Sequence, residues 1–258
     1  MGSTSIPIRP ITAGLAGLPA IFLAVHVYRR VSTTPRDQVT TKTGVSASLR
    51  ESATVTKLVN PRGRSMGGDS RSIDLDVSAE AATIKDETLL AAFTRGFFGG
   101  SVFTPERVFL SLMRPSVRNF PEIDEASIPS RIWDTKELNN DKLPPEHTVF
   151  FGEFQVGGIS LRQNDDSPAR EPGSSESTVD IIYGSNIAEF AGVHRFGISR
   201  FADRPGIIRV SFQTAICNPL VDQDLQSTAL FAFHRVYAAM LFRESVGEMR
   251  RRIMLEGE

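Results

Sequence analysis

The chain contains one cysteine, Cys217, among its 258 residues, and it has almost no net charge. A single cysteine excludes an intramolecular disulfide and any zinc site built from several cysteines, and the lack of a disulfide framework fits a reducing compartment. The formal net charge of -1, without a long block of lysine and arginine, provides no field that would collect on nucleic acid. These absences favour a cytoplasmic protein and argue against a nucleic-acid partner.

The motifs of several common enzyme classes are missing as well. The four histidines show neither H-x-x-x-H nor H-E-x-x-H spacing, so we expect no metal site. There is no G-x-S-x-G elbow, which argues against an α/β-hydrolase. The stretch RGRSMGG lacks the lysine and the glycine spacing of a phosphate-binding loop. We therefore expect a protein that works without metal or cofactor.

The chain has one long apolar run, from Ile11 to Tyr28, which contains no charged residue. A membrane-spanning helix needs about 20 apolar residues, and this run includes several glycines, a proline and a histidine. A spanning helix, an interfacial helix and a cover for the protein body all remain open. We interpret residues 1–30 as a hydrophobic helical segment, either an anchor or an interfacial helix. The arginines that follow it would hold the body at the cytosolic face of an internal membrane.

Residues 31–258 are long enough for one domain with a substantial core. Asp86 begins the run DETLLAAFTRGFF, whose acidic first turn and closing Gly-Gly predict a helix. Thr104, followed by proline and glutamate, predicts a second helix. The alternating runs VSASL and SIDLDV predict edge strands before these helices. The proline-rich residues 115–145 predict a wrapped connection that covers a pocket.

The second half of the chain is rich in strand patterns. HTVFFGEFQV, TVDIIYG, EFAGVHRFGIS and GIIRVSFQTAI each have the content of a β-strand. In the last run, Ile208, Val210 and Phe212 share one face, which is typical of a half-buried antiparallel strand. An amphipathic helix from about Asp222 to Arg252 would close over that face. The predicted fold is α+β, with a twisted antiparallel sheet gripping a long C-terminal helix.

This arrangement resembles the helix-grip fold of the START-like superfamily, which includes lipid carriers, plant hormone receptors and polyketide cyclases. The resemblance covers about residues 146–252, and GVHRF and FHRVYAAMLFRESV are similar to a fungal-type branch. The chain departs from the family because a hydrophobic segment and a polar region come before the body. The resemblance implies an apolar cavity under the C-terminal helix, suited to polyketides, sterols or acyl chains. The resemblance implies an architecture, and it identifies no catalytic residues.

His194 is the main candidate for chemistry, because it shares its strand parity with Phe190, Phe196 and Ile198. An imidazole titrates near neutral pH and can act as a general acid or base. A structural histidine with a hydrogen-bond partner in the core would show the same pattern. Asp180 is the natural partner, since a carboxylate in an apolar strand must be paired. The Asp180–His194 dyad depends on strand register, because a slip of one residue moves Asp180 to the other face.

Further candidates surround the same predicted pocket. Tyr183 is interpreted either as an orienting hydroxyl or as a residue of the pocket rim. Glu153 is a second acid whose direction the pattern leaves open, and His234 lies beside the apolar stripe of the last helix. Arg195 has the opposite parity to His194, so we expect it to reach solvent or pair with an acid. The expected substrate-binding residues are aromatic: Phe190, Phe196, Phe212 and Tyr237.

Three functional hypotheses follow from this pattern. The first is a cofactor-independent cyclase or lyase acting on a hydrophobic, oxygenated substrate such as a polyketide. The second is a membrane-tethered lipid or sterol carrier, in which His194 and Asp180 only anchor a head group. The third is a hot-dog thioesterase, disfavoured because its central helix precedes most strands. All three hypotheses expect a hydrophobic small molecule as the partner. The pattern leaves the oligomeric state open, with a dimer among the alternatives.

Overall fold

One mixed β-sheet organises the computed structural model, which describes residues 24–114, 120–162, 176–223 and 229–256. Its strands are β1 Thr40–Thr43, β2 Gly67–Asp76, β3 Arg131–Ile132, β4 Val149–Phe150, β5 Phe154–Ser160, β6 Glu176–Gly184, β7 Ala191–Phe201 and β8 Arg204–Cys217. The order in the sheet is β1-β2-β8-β7-β6-β5-β4-β3. Every neighbouring pair is antiparallel except β3–β4. The α+β class predicted from the sequence is confirmed.

Helices precede, interrupt and end the sheet. They are α1 (24–32), α2 Ala47–Arg50, a π-helix at Thr54–Val59, α3 Asp86–Gly99, α4 Thr104–Met113 and α5 Ala229–Glu256. Short 3-10 turns occur at Arg36–Gln38, Ala81–Thr83, Glu125–Ser127 and Thr135–Glu137. The predictions of α3 and α4 are confirmed, and α4 has its proline in the first turn and ends at Arg114, whose φ is 40°. The predicted C-terminal helix is also present.

Two of the predicted strands need correction. VSASL contains helix α2, because the Ser46 hydroxyl accepts a hydrogen bond from the Leu49 N–H (3.2 Å) and caps the helix. SIDLDV belongs to β2, which lies between β1 and β8 and is therefore not an edge strand. The sheet thus extends beyond the part that begins near His147.

The main core lies between the sheet and α5, with α3 enclosed between them. Phe93 and Phe97 of α3 contact Phe196 of β7, with ring centroids 4.8 and 5.0 Å apart. Phe93 also contacts Phe242 of α5 at 5.9 Å. Burial of each such ring stabilises the fold by about 1.5–3 kcal/mol. These contacts fix α3 and α5 against the face of the sheet that carries His194.

The opposite face of the sheet is also covered, although the alternation of β8 predicted that this side would face outward. Leu49, Val55 and Val59, from α2 and the π-helix, belong to the same apolar cluster as Val193 and Cys217 on the strands. Burial raises the pKa of the Cys217 thiol to about 11, so the thiol is protonated at neutral pH. Both faces of the central strands are therefore buried.

The end of α1 belongs to the body of the protein. Val31 lies in the main core, Arg243 Nε donates to the Thr34 carbonyl (2.6 Å), and Arg250 Nη1 donates to the Thr33 carbonyl (2.9 Å). Most of the predicted anchor, residues 11–28, lies outside the described residues. Within the described ranges, no helix is long and apolar enough to cross a membrane.

Gly96 sets the distance between α3 and α5. A Cβ atom at this position would lie 2.7 Å from Ser245 Cα, so Gly96→Ala must push the helices apart. We expect Gly96→Ala to lower the free energy of unfolding by about 1–3 kcal/mol, as overpacking does. Gly99→Ala is the matched control, because its nearest contact would be 3.7 Å away. Urea unfolding of both variants checks this, and equal stabilities would contradict the close helix contact.

Candidate functional site

A cavity of about 870 Å³ opens beneath the N-terminal half of α5 and reaches the strands β6, β7 and β8. Six of the residues predicted from the sequence line it: Glu153, Tyr183, Phe190, His194, His234 and Tyr237. A larger surface groove of about 1000 Å³ lies between β2 and the C-terminal end of α5. It contains none of the predicted residues, so the cavity under α5 is the candidate site.

His194 is buried on the floor of this cavity and is 5% exposed. Its ring lies 4.6 Å from the Tyr183 ring and 5.3 Å from the Phe212 ring, and it stacks on His234 at 6.0 Å. Nδ1 has no hydrogen-bond partner among the described residues. Burial, reinforced by repulsion from His234 and Arg71, holds the pKa of His194 well below its ordinary value of 6.5. At neutral pH the imidazole is therefore uncharged.

The predicted hydrogen bond between Asp180 and His194 is wrong. In the register of β6 and β7, Asp180 lies opposite Arg195 and Ile181 lies opposite His194, so Asp180 faces the other side of the sheet. Arg195 Nε and Nη2 donate to the two carboxylate oxygens of Asp180 at 2.6 and 2.7 Å. The pairing of Arg195 with an acid is confirmed, and Asp180 is not part of the cavity.

Tyr183 lies beside His194 because a glycine leaves room for its ring. Its cross-strand partner is Gly192, where a Cβ atom would lie 2.3 Å from the Tyr183 Cζ. Burial raises the pKa of Tyr183 to about 12, although the side chain of Thr214, which lies opposite His194 on β8, opposes this shift. Tyr183 thus places a protonated hydroxyl next to the imidazole.

A second polar pair on the cavity wall links α4 to α5. The Tyr237 hydroxyl donates to Glu106 Oε2 at 2.9 Å. Burial raises the pKa of Glu106, and the charge of Glu153 adds to this, although the hydrogen bond from Tyr237 opposes it. Burial and the neighbouring carboxylate of Glu106 likewise raise the pKa of Tyr237. Sequence reasoning missed Glu106, because an acid in the first turn of a helix is ordinarily a partner of the helix dipole.

A buried ion pair lies behind the two histidines. Arg71 donates to both carboxylate oxygens of Asp69, at 2.6 and 3.1 Å, and also to the Arg235 carbonyl at 2.8 Å. Burial lowers the pKa of His234; Asp69 opposes this shift and Arg71 adds to it. Arg71 therefore helps to keep both imidazoles uncharged at neutral pH, whereas Asp69 acts against this at His234.

The remaining predicted residues lie behind the cavity or away from it. Phe212 supports the His194 ring from the sheet, and Phe196 is packed against α3 in the core. Residues 120–145, expected to roof the pocket, contribute none of its described lining. The described residues contain no group of side chains suited to hold a metal ion.

The position of α3 also bears on the thioesterase hypothesis. This buried helix precedes strands β3 to β8, so a late central helix no longer argues against a hot-dog fold. The strands from β5 to β8 form an uninterrupted antiparallel run that is followed by α5.

In comparisons with known proteins, no family model, curated protein or solved structure matches the chain.

Proposed function

We propose that the protein is a cofactor-independent cyclase or lyase that acts on a hydrophobic, oxygenated molecule, such as a polyketide, inside this cavity. The observation that carries the proposal is the uncharged His194 imidazole on the floor of the cavity.

The proposed reaction is an intramolecular aldol closure. His194 accepts a proton from the carbon between two carbonyl groups, and that carbon forms a bond to a more distant carbonyl carbon. The proton then returns to the new alkoxide, so no other reactant is consumed. Tyr183, whose pKa burial raises to about 12, supplies a hydrogen-bond donor near the oxygens that gain charge.

The fold supports the same proposal. β2 lies beside β8, the strands from β8 back to β3 follow in sequence order, and α5 covers the cavity. This order supports assignment to the helix-grip class of START-like proteins, whose cavity lies under the last helix. A cavity of about 870 Å³ falls within the range of about 300–1,000 Å³ usual for small-molecule sites.

The binding alternative, a lipid or sterol carrier at the cytosolic face of a membrane, also has one observation in its favour. Apolar side chains are exposed at the mouth of the cavity, including Phe190 (44%) and Phe233 (67%). Exposed aromatic rings at an entrance suit transfer of an apolar ligand from a membrane surface. The carrier needs no chemistry at His194.

The experiment that separates these functions uses a linear β-polyketone thioester. The protein is incubated with this probe and the products are followed by mass spectrometry, with heat-denatured protein as the control. We expect one cyclised isomer to form faster than in buffer. Recovery of bound but unchanged probe would contradict the cyclase and favour the carrier.

A further inference from the structure

The charged groups on the cavity wall are all acidic. Glu106, Glu153 and Glu189 line it, and the described lining residues include no lysine or arginine. Two of these acids act on each other: besides burial, the negative charge of Glu153 raises the pKa of Glu106. A ligand carboxylate or phosphate would therefore lose its water without gaining a cation.

The two arginines whose charges act on His194 and Tyr237 of the cavity wall, Arg71 and Arg107, are already committed to other partners. Arg71 is bound to both oxygens of Asp69. Arg107 donates to the carbonyls of Phe98 and Gly100, at 2.8 and 3.3 Å, and to the Thr104 hydroxyl at 2.9 Å. Neither side chain lines the cavity.

The floor of the cavity offers polar groups to a ligand, and its rim offers two apolar rings. Its floor carries His194, Thr214 and Tyr183, which are 5%, 2% and 8% exposed. Its rim carries the exposed rings of Phe190 and Phe233. An amphipathic ligand would satisfy both ends if its polar group entered first.

We propose that the cavity binds an apolar molecule that carries no acidic group, with a hydroxyl or carbonyl group at His194 and the apolar body extending to the rim, and that it rejects acidic molecules. The proposal rests on the proposed function only in taking this cavity as the binding site. It excludes free fatty acids and phosphate-bearing lipids as ligands held head-first, and it leaves neutral ketones and alcohols.

The test uses probes with the same twelve-carbon body and different ends. 1-Dodecanol, 2-dodecanone, dodecanoate and 1-chlorododecane compete with a neutral fluorescent dye for the full-length protein. We expect the alcohol and the ketone to bind about tenfold or more tightly than the carboxylate, because the carboxylate alone must be desolvated beside acidic side chains. They should also bind more tightly than the chloride, which cannot hydrogen-bond to His194.

Variants identify the groups responsible. Glu106→Gln combined with Glu153→Gln should reduce the discrimination against dodecanoate severalfold and leave dodecanol binding within about twofold. As a control, Glu51→Gln removes one negative charge from an exposed side chain beside α2 and should change nothing. His194→Phe should abolish the preference for the alcohol over the chloride.

The outcomes separate this proposal from the proposed function. Dodecanoate binding as tightly as dodecanol would overturn the proposal, and so would the absence of binding by every probe. Selective binding of the neutral probes without turnover of a polyketone would leave the proposal standing and remove the cyclase.

Discussion

Replacing Asp180 by asparagine should lower the free energy of unfolding by about 3–5 kcal/mol, the usual cost of removing one partner from a buried ion pair. The side chains of Asp180 and Arg195 are 5% and 9% exposed, and two short hydrogen bonds join them. Without Asp180 the guanidinium keeps its bond to the Ser48 carbonyl (3.1 Å) but loses its bound carboxylate. Glu176 also favours the charged form of Arg195, because its negative charge helps to raise the pKa of that side chain. The loss of unfolding free energy should therefore lie near the lower end of this range, at about 3 kcal/mol.

Urea unfolding of two further variants tests the cause. Asp180→Leu combined with Arg195→Met removes both charges and should recover most of the lost stability, since well-packed apolar residues often replace a buried pair without cost. Asp180→Asn should leave turnover per folded molecule unchanged, because its side chain lies on the opposite face from His194. A stability loss below about 1 kcal/mol would show that the pair is not buried in solution. Loss of turnover in folded protein would restore the Asp180–His194 dyad.

The helices were predictable because their signals are local. Asp86 with its acidic neighbour, and Thr104 followed by Pro105, mark the starts of α3 and α4 without reference to any other part of the chain. The face of β8 that meets the helices was predictable for the same reason, since the alternation of Ile208, Val210 and Phe212 is strict.

The direction of Asp180 was not predictable, because β6 is buried on both faces. Val179 and Ile181 face the main core, while Ile182 faces the second cluster, so apolar residues occupy both parities. Only the pairing with β7 across the connection from Gly184 to Ala191 decides which face the carboxylate occupies. That register depends on contacts between distant parts of the chain. Because both faces of β6 are covered, the alternation of polar and apolar residues along the strand does not reveal it.

Glu106 and Arg71 were missed for a related reason. Each becomes part of the site only when α5 brings Tyr237 or Arg235 next to it, more than 100 residues away in the chain. The signal available in the sequence was chemical, since Arg71 and Asp69 share one parity of a strand that becomes buried. Buried charges of opposite sign on one strand face are expected to pair.

The second large effect concerns His194. Replacing it by phenylalanine keeps an aromatic ring among Phe97, Tyr183 and Phe212 and removes the unpaired Nδ1. Turnover should fall by about 10²–10⁴-fold, the usual contribution of a general acid or base. Stability should be kept or should rise by about 1–3 kcal/mol at neutral pH, because the unsatisfied buried nitrogen is gone. His147→Asn is the control: it removes a histidine that does not line the cavity, and asparagine tolerates its φ of 69°.

The pH dependence separates a proton-transfer role from a packing role. Because the folded-state pKa of His194 lies well below 6.5, the unfolded chain binds a proton first as the pH falls, so the fold loses stability below about pH 6.5. The His194→Phe variant should lose less stability than the wild-type protein when the pH falls from about 7 to about 5. The pKa of His234 is also lowered, and this histidine is present in both proteins. Wild-type turnover should persist below about pH 6.5, because the imidazole is still uncharged there. Turnover that falls with an apparent pKa at or above 6.5, or a His194→Phe variant with full activity, would rule out His194 as the base.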